Sequence, residues 1–251
     1  LVIQSGASPH GYRLRPSEAK ALQDANLIFW MGEELTPWLE GAIDTLASNA
    51  SVTALLDQEG IVLHDFRQGA LFEAHDHDDH DDHDDHKDYD DHDDHDDHDD
   101  HKDHDDHDDH KDHDEHDDHK DHDDHGHGAH DPHAWLSPEN AKLWLNIIAS
   151  KLSVADPENA ANYFTNAAAG QAEIEDMVAE VSATLKPVQG GKFVVFHDAY
   201  QYFENDFDFY ASGAISLSDA SDPSPARIAR IQKRIRDEGI QCVLAEPQFK
   251  Q

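Results

Sequence analysis

The chain has 251 residues, with 56 Asp and Glu against 18 Lys and Arg, a net charge of −38 with histidine neutral, 23 histidines and a single cysteine, Cys242. A surface this acidic repels phosphate backbones and anionic lipid, which disfavours nucleic-acid binding and favours the handling of cations. No apolar run approaches the roughly 20 residues of a membrane-spanning helix, and one cysteine excludes an internal disulfide or a thiolate-rich metal site within these residues.

In chain order, Leu1 to Ile3 leads into the Gly6 loop with Ser8-Pro9-His10, which predicts a short strand and a turn, with His10 at the strand's end. There is no leading Met and no charged-then-apolar segment, so a signal peptide is not part of the chain as given. Pro16 suits a first helical turn, with Ala19, Leu22 and Ala25 at helical spacing; Leu27-Ile28-Phe29-Trp30 reads as a buried strand, and Pro37 to Leu46 as a second helix. Ile61-Val62-Leu63-His64 has a strand pattern. Strands alternating with helices predict a parallel sheet.

Beyond a repetitive tract, Ser137-Pro138 starts a helix whose Leu143, Ile147, Ile148 and Leu152 share one face. Phe164, Ala167, Ile174, Val178, Val181 and Leu185 step by three, four or seven residues, so one long amphipathic helix of about 45 Å is predicted over 157–186, a spacer between lobes. Phe193 to Phe196 reads as a strand ending at His197-Asp198, followed by a helix near Tyr200, a strand over Gly213 to Leu217, a basic helix over Pro225 to Arg236 and a strand over Cys242 to Ala245. The expected fold is therefore α/β in two lobes, each a mostly parallel sheet flanked by helices, joined by one long rigid helix. The bounds are an amino-terminal lobe at 1–156 carrying a disordered insertion at 75–131, a linking helix at 157–187, and a carboxy-terminal lobe at 188–251. That last lobe reads as incomplete, because its final sheet unit lacks a covering helix.

Between His75 and Asp131 stand 30 carboxylates and 4 lysines, a net of −26. From His77 to His125 histidine falls at every third position except Tyr89, which is in phase. A three-residue period drifts around an α-helix, and the charge opposes compaction. A polyproline-II-like chain, with three residues per turn, would line the imidazoles along one edge. His77, His80, His83, His86, His92 and His95 are thus expected to form weak, exchangeable sites for zinc, copper or nickel that gather metal without defining one geometry. The plain alternative is a solvated acidic linker.

Outside the tract lie His10, His64, His133 and His197. His10 and His197 follow predicted strands, where ligands of open α/β sheets gather, and His133 lies in the loop before a helix; His64, inside a strand pattern, reads as structural. Three neutral imidazoles from separate loops make a zinc centre with one open position, suited to catalysis or to reversible delivery. Asp198 and Glu204 are candidates to hold a ligand imidazole, or equally are charges at a helix start.

Gly6-Ala7-Ser8-Pro9-His10-Gly11-Tyr12-Arg13-Leu14-Arg15-Pro16-Ser17, Asp131-Pro132-His133-Ala134-Trp135-Leu136-Ser137-Pro138 and Phe196-His197-Asp198-Ala199-Tyr200-Gln201-Tyr202-Phe203-Glu204, with Glu246-Pro247-Gln248-Phe249, resemble the zinc-binding periplasmic receptors of bacterial ABC transporters, the ZnuA type. The resemblance implies two lobes about a buried Zn²⁺ as transported ligand, and His10, His133 and His197 as its ligands. It further implies periplasmic residence, in a Gram-negative bacterium, and delivery to a membrane permease driven by a cytoplasmic ATPase, by a monomer that is not an enzyme. Manganese-binding relatives usually carry a carboxylate where His197 stands, so histidine there favours zinc. Pro9 departs from the glutamate that precedes the first ligand in some zinc receptors, which leaves the fourth position to water or to a residue beyond Gln251. Cys242 stands where some members have one half of a cysteine pair. Two other readings compete: a metal-storage or adhesion protein whose tract is the main site, and a three-histidine zinc hydrolase.

Overall fold

Two separate parallel sheets organise the chain in the computed structural model, which describes residues 2–3, 6–67, 69, 71–72, 130–216 and 223–246. The first pairs β1 (Leu27–Trp30) with β2 (Ser51–Ala54), Leu27 opposite Ser51 and Trp30 opposite Ala54. Helix α1 (Pro16–Gln23) precedes β1, and α2 (Pro37–Leu46) crosses from β1 to β2. Their apolar faces meet in a core of Leu22, Ile28, Leu39, Ile43 and Ala47. Proline opens both helices, where its missing N–H costs nothing.

The second sheet has the order β4-β3-β5, all parallel, from β3 (Phe193–His197), β4 (Ala214–Ser216) and β5 (Cys242–Leu244). Its central strand buries Phe193, Val194 and Val195, the continuous apolar run expected of a parallel strand covered on both faces. Helix α5 (Gln201–Phe207) follows β3, and α6 (Pro225–Glu238) lies between β4 and β5, capped by Ser224 and ended by Gly239 at φ 65°. Between the sheets run α3 (Pro138–Ala155) and α4 (Ala160–Leu185), which pack along one another. At their contact Gly170 leaves room for Leu145, and Gln171 Nε2 donates to the Lys142 carbonyl at 2.9 Å. The long helix predicted over 157–186 is thus 26 residues of α-helix with a short 3-10 turn at each end.

Two expectations are corrected. Val2 and Ile3 form no strand; Val2 packs against the first core, and the ladder on β1 is made by β2. That strand escapes a periodicity reading because only Thr53 of its four residues is buried. Ile61 to His64 is irregular, its backbone satisfied by side chains: Asn140 Oδ1 accepts from Val62 N at 2.9 Å, Asn140 Nδ2 donates to the Val62 carbonyl at 2.9 Å, and the Tyr202 hydroxyl accepts from His64 N at 3.1 Å. The tract, with His77, His80, His83, His86, His92 and His95, lies outside the described residues, as do Leu217 and Pro247 to Phe249.

Candidate metal centre

Each of the three histidines is placed by a different local device. His10 lies in a loop where Trp38 Nε1 donates to the Pro9 carbonyl at 2.7 Å and the Tyr12 hydroxyl donates to Glu18 Oε1 at 2.7 Å. Glu18 also accepts from Arg15 N at 2.7 Å, so the loop is locked onto the first turn of α1. His133 stands before the 3-10 turn Ala134–Leu136, which leads through Ser137 into α3. His197 is the last residue of β3, at the carboxyl end of a central parallel strand.

A second core of Leu55, Leu56, Ala134, Trp144 and Tyr202 joins the segment after His133 to the helix after His197. Tyr202, fully buried on α5, donates its hydroxyl to the Asp131 carbonyl at 2.7 Å while accepting from His64 N. Trp144 Nε1 donates to the Leu55 carbonyl at 2.9 Å, tying α3 to the end of β2.

The result is one cluster of imidazoles. Ring centroids lie 5.3 Å apart for His10 and His133, 5.5 Å for His10 and His197, and 4.8 Å for His133 and His197. One ligand atom from each falls within 4.8 Å of the others, and the His10 and His133 Nε2 atoms are 3.3 Å apart. Tetrahedral zinc with Zn–N bonds of about 2.0–2.1 Å requires N···N edges of about 3.3 Å, so one edge already has the length a shared ion needs. Among the described residues no other group of three or more His, Cys, Asp or Glu meets this condition. His133 and His197 are buried and His10 is half-buried, an arrangement that removes water from two ligands and leaves the third at the rim.

Orientation of the rings comes from carboxylates that the sequence reading assigned elsewhere. Asp131 Oδ1 lies 2.6 Å from His133 Nδ1 and accepts from His133 N at 2.9 Å. A carboxylate there fixes the proton on Nδ1 and turns the bare Nε2 toward the centre. Counted as the last acid of the tract, Asp131 belongs to the site; its position two residues before His133 is the signal that would have found it. Glu246 Oε1 stands 3.6 Å from His197 Nδ1, and the Glu246 carboxylate also bonds the Tyr200 hydroxyl, whose pKa is pushed up to about 12 by burial and by that carboxylate.

Asp198 and Glu204, candidates to hold a ligand imidazole or equally charges at a helix start, hold Arg67, with Glu204 in the first turn of α5. Its Nη1 donates to Glu204 Oε2 at 2.6 Å and its Nη2 to Glu204 Oε1 at 3.0 Å, while Nε and Nη2 both reach Asp198. Burial opposes the charge on Arg67, but the Glu204 bond and the two carboxylates outweigh it and hold its pKa above the ordinary value. Burial raises the Asp198 carboxyl, with Arg67 acting against that rise. Asp198 directly follows β3 and Glu204 lies on α5, and both face the segment that precedes the tract. His64, as expected, is outside the cluster: its ring packs against Tyr202 at 4.6 Å and its Nε2 lies 3.1 Å from Asn205 Nδ2.

Comparison with known proteins decides the lineage. The family described as zinc-uptake complex component A, periplasmic, matches residues 1–251. The chain belongs to this ZnuA family. The high-affinity zinc uptake system protein ZnuA of Brucella abortus strain 2308 is 47% identical over 250 residues, covering 100% of this chain and 70% of that protein. The protein of the same name from Paracoccus denitrificans is 48% identical over 246 residues, covering 98% and 68%. Among solved structures, a crystal structure of ZnuA superposes with a TM-score of 0.66 at 20% identity, over 99% of this chain and 73% of that one. A zinc-bound ZnuA deletion mutant does so with a TM-score of 0.68 at 20% identity, over 99% and 72%. These last two likenesses establish a ZnuA-like fold of parallel sheets flanked by helices.

Proposed function

We propose that this chain is the extracytoplasmic, high-affinity zinc receptor of an ABC-type importer. In this reading His10, His133 and His197 bind Zn²⁺ as cargo, between two lobes built on the two sheets and joined by α4, with bounds near 1–156, 157–187 and 188–251. The observation that carries it is the convergence of three imidazoles from distant parts of the chain, two of them buried, on a 3.3 Å edge. Family membership supports the setting of a periplasmic zinc-uptake component; in this reading the chain acts as a monomer that hands its ion to a membrane permease with a cytoplasmic ATPase. Among the described residues no helix is long and apolar enough to cross a membrane. Membership in a zinc-uptake family favours a binding centre over a zinc hydrolase.

The His/Asp tract, with His77, His80, His83, His86, His92 and His95, captures or buffers zinc in the same reading. Replacing His133 or His197 by alanine should abolish the tightest zinc binding measured by chelator competition. Deleting residues 75–129, which spares Asp131, should leave that binding intact while lowering the number of weakly held ions. Equal losses from both changes would favour a storage or adhesion protein whose tract is the main site.

A further inference from the structure

Arg67 is anchored more heavily than a surface arginine requires. It lies in the segment that leads to the tract, and its guanidinium is half-buried between Asp198 and Glu204, stacked over the Phe72 ring at 3.6 Å from the centroid. Both acids are buried, and Glu204 also accepts from Ala211 N at 3.3 Å. Asp198 directly follows His197, and its own amide donates to the Ser216 carbonyl at 3.1 Å. The turn between β3 and α5 therefore has two restraints: the sheet on one side, and a planar five-donor fork on the other. On the opposite stem of the tract, Asp131 N donates to the His64 carbonyl at 2.8 Å, and Asp131 orients His133. The root of the insertion is thus fastened next to His197, through Arg67 and the adjacent Asp198, on one stem and to His133, through Asp131, on the other.

We propose that Arg67 is a positioning residue for the metal centre. By gripping Asp198 and Glu204 it fixes the turn after β3, and with it the direction of the His197 imidazole. This rests on the reading of His10, His133 and His197 as ligands. An arginine is needed because two carboxylates are engaged at once; lysine supplies the charge as a point and not the fork. A group that orients a metal ligand from behind typically contributes about 10- to 100-fold in affinity.

The test loads the full chain with one equivalent of Co²⁺ and subtracts the visible spectrum of His197→Ala, which keeps the tract but lacks the centre. Wild type should then show the intense bands of a low-coordinate cobalt site. A null difference would contradict the three-histidine reading itself and leave Arg67 with nothing to position. Given that signal, Arg67→Lys and Arg67→Met should shift its bands and release cobalt to a chelator about 10- to 100-fold faster, lysine less than methionine. Removal of one partner from a buried ion cluster is destabilising, so Arg67→Met is read only if its far-ultraviolet circular dichroism matches wild type. Arg67→Lys, which retains the charge, decides the matter otherwise. A folded variant with the wild-type spectrum and release rate would overturn the proposal.

Discussion

Asp131 accepts from both the amide and the ring of His133, and so acts on a ligand from behind rather than on the ion. Asp131→Ala should weaken zinc binding about 10- to 100-fold while leaving the ion count at the centre unchanged, as followed by chelator competition. Tyr202 supports the same loop. Tyr202→Phe leaves the part-buried His64 N–H and the buried Asp131 carbonyl without their phenol partner, and should cost about 1–3 kcal/mol in a denaturant titration of the metal-free protein. Burial is the main cause that lifts the Tyr202 phenol from 10.0 to about 12, with the bond from His64 N acting against it and the Asp131 and Asp65 charges adding to it. A raised folded-state pKa means stability that is full below pH 10.0 and lost as pH climbs through about 12. Wild type should therefore lose more stability than Tyr202→Phe across that interval when melting is followed against pH. Residues of this kind were poorly legible. Asp131 was counted with the acids of the tract although it stands beyond the repeat, and Arg67 and Glu246 act through partners distant in the chain.

At the scale of elements, the junction between α3 and α4 is held by Asp156. Its carboxylate accepts from Asn159 Nδ2 at 2.7 Å and from the Tyr163 hydroxyl at 2.9 Å, bonds that hold its pKa below the ordinary 3.8. A lowered folded-state pKa gives stability that is present above 3.8 and lost as pH falls through the lower value. Asp156→Asn should melt lower than wild type at neutral pH, and the gap should narrow as the buffer is acidified below that range. Most helices were legible because their apolar positions recur every three or four residues and proline marks their starts. β3 was legible as an uninterrupted apolar run. β2 was not, because only Thr53 turns inward, and Ile61 to His64 imitates a strand whose bonds go to Asn140 and Tyr202 instead.

For the whole molecule, the order of the elements along the chain was readable, but the meeting of His10, His133 and His197 was not a local property. Periodicity placed each near an element's end. The approach of His133 to His197 depends on the second core, where Leu55, Ala134 and Tyr202 pack together from three separate segments. Imidazole binds metal only when neutral, so a centre built on three of them should lose affinity as the solution is acidified through about pH 6.5, where free imidazole takes up its proton. That loss should appear as faster release to a chelator at low pH. The most direct measurement is anomalous scattering at the zinc edge from crystals of the full chain grown with zinc. The account predicts one strong peak bonded to His10, His133 and His197 together, at about 2.0–2.1 Å from one nitrogen of each. A strongest peak elsewhere, or one touching fewer than all three rings, would contradict it.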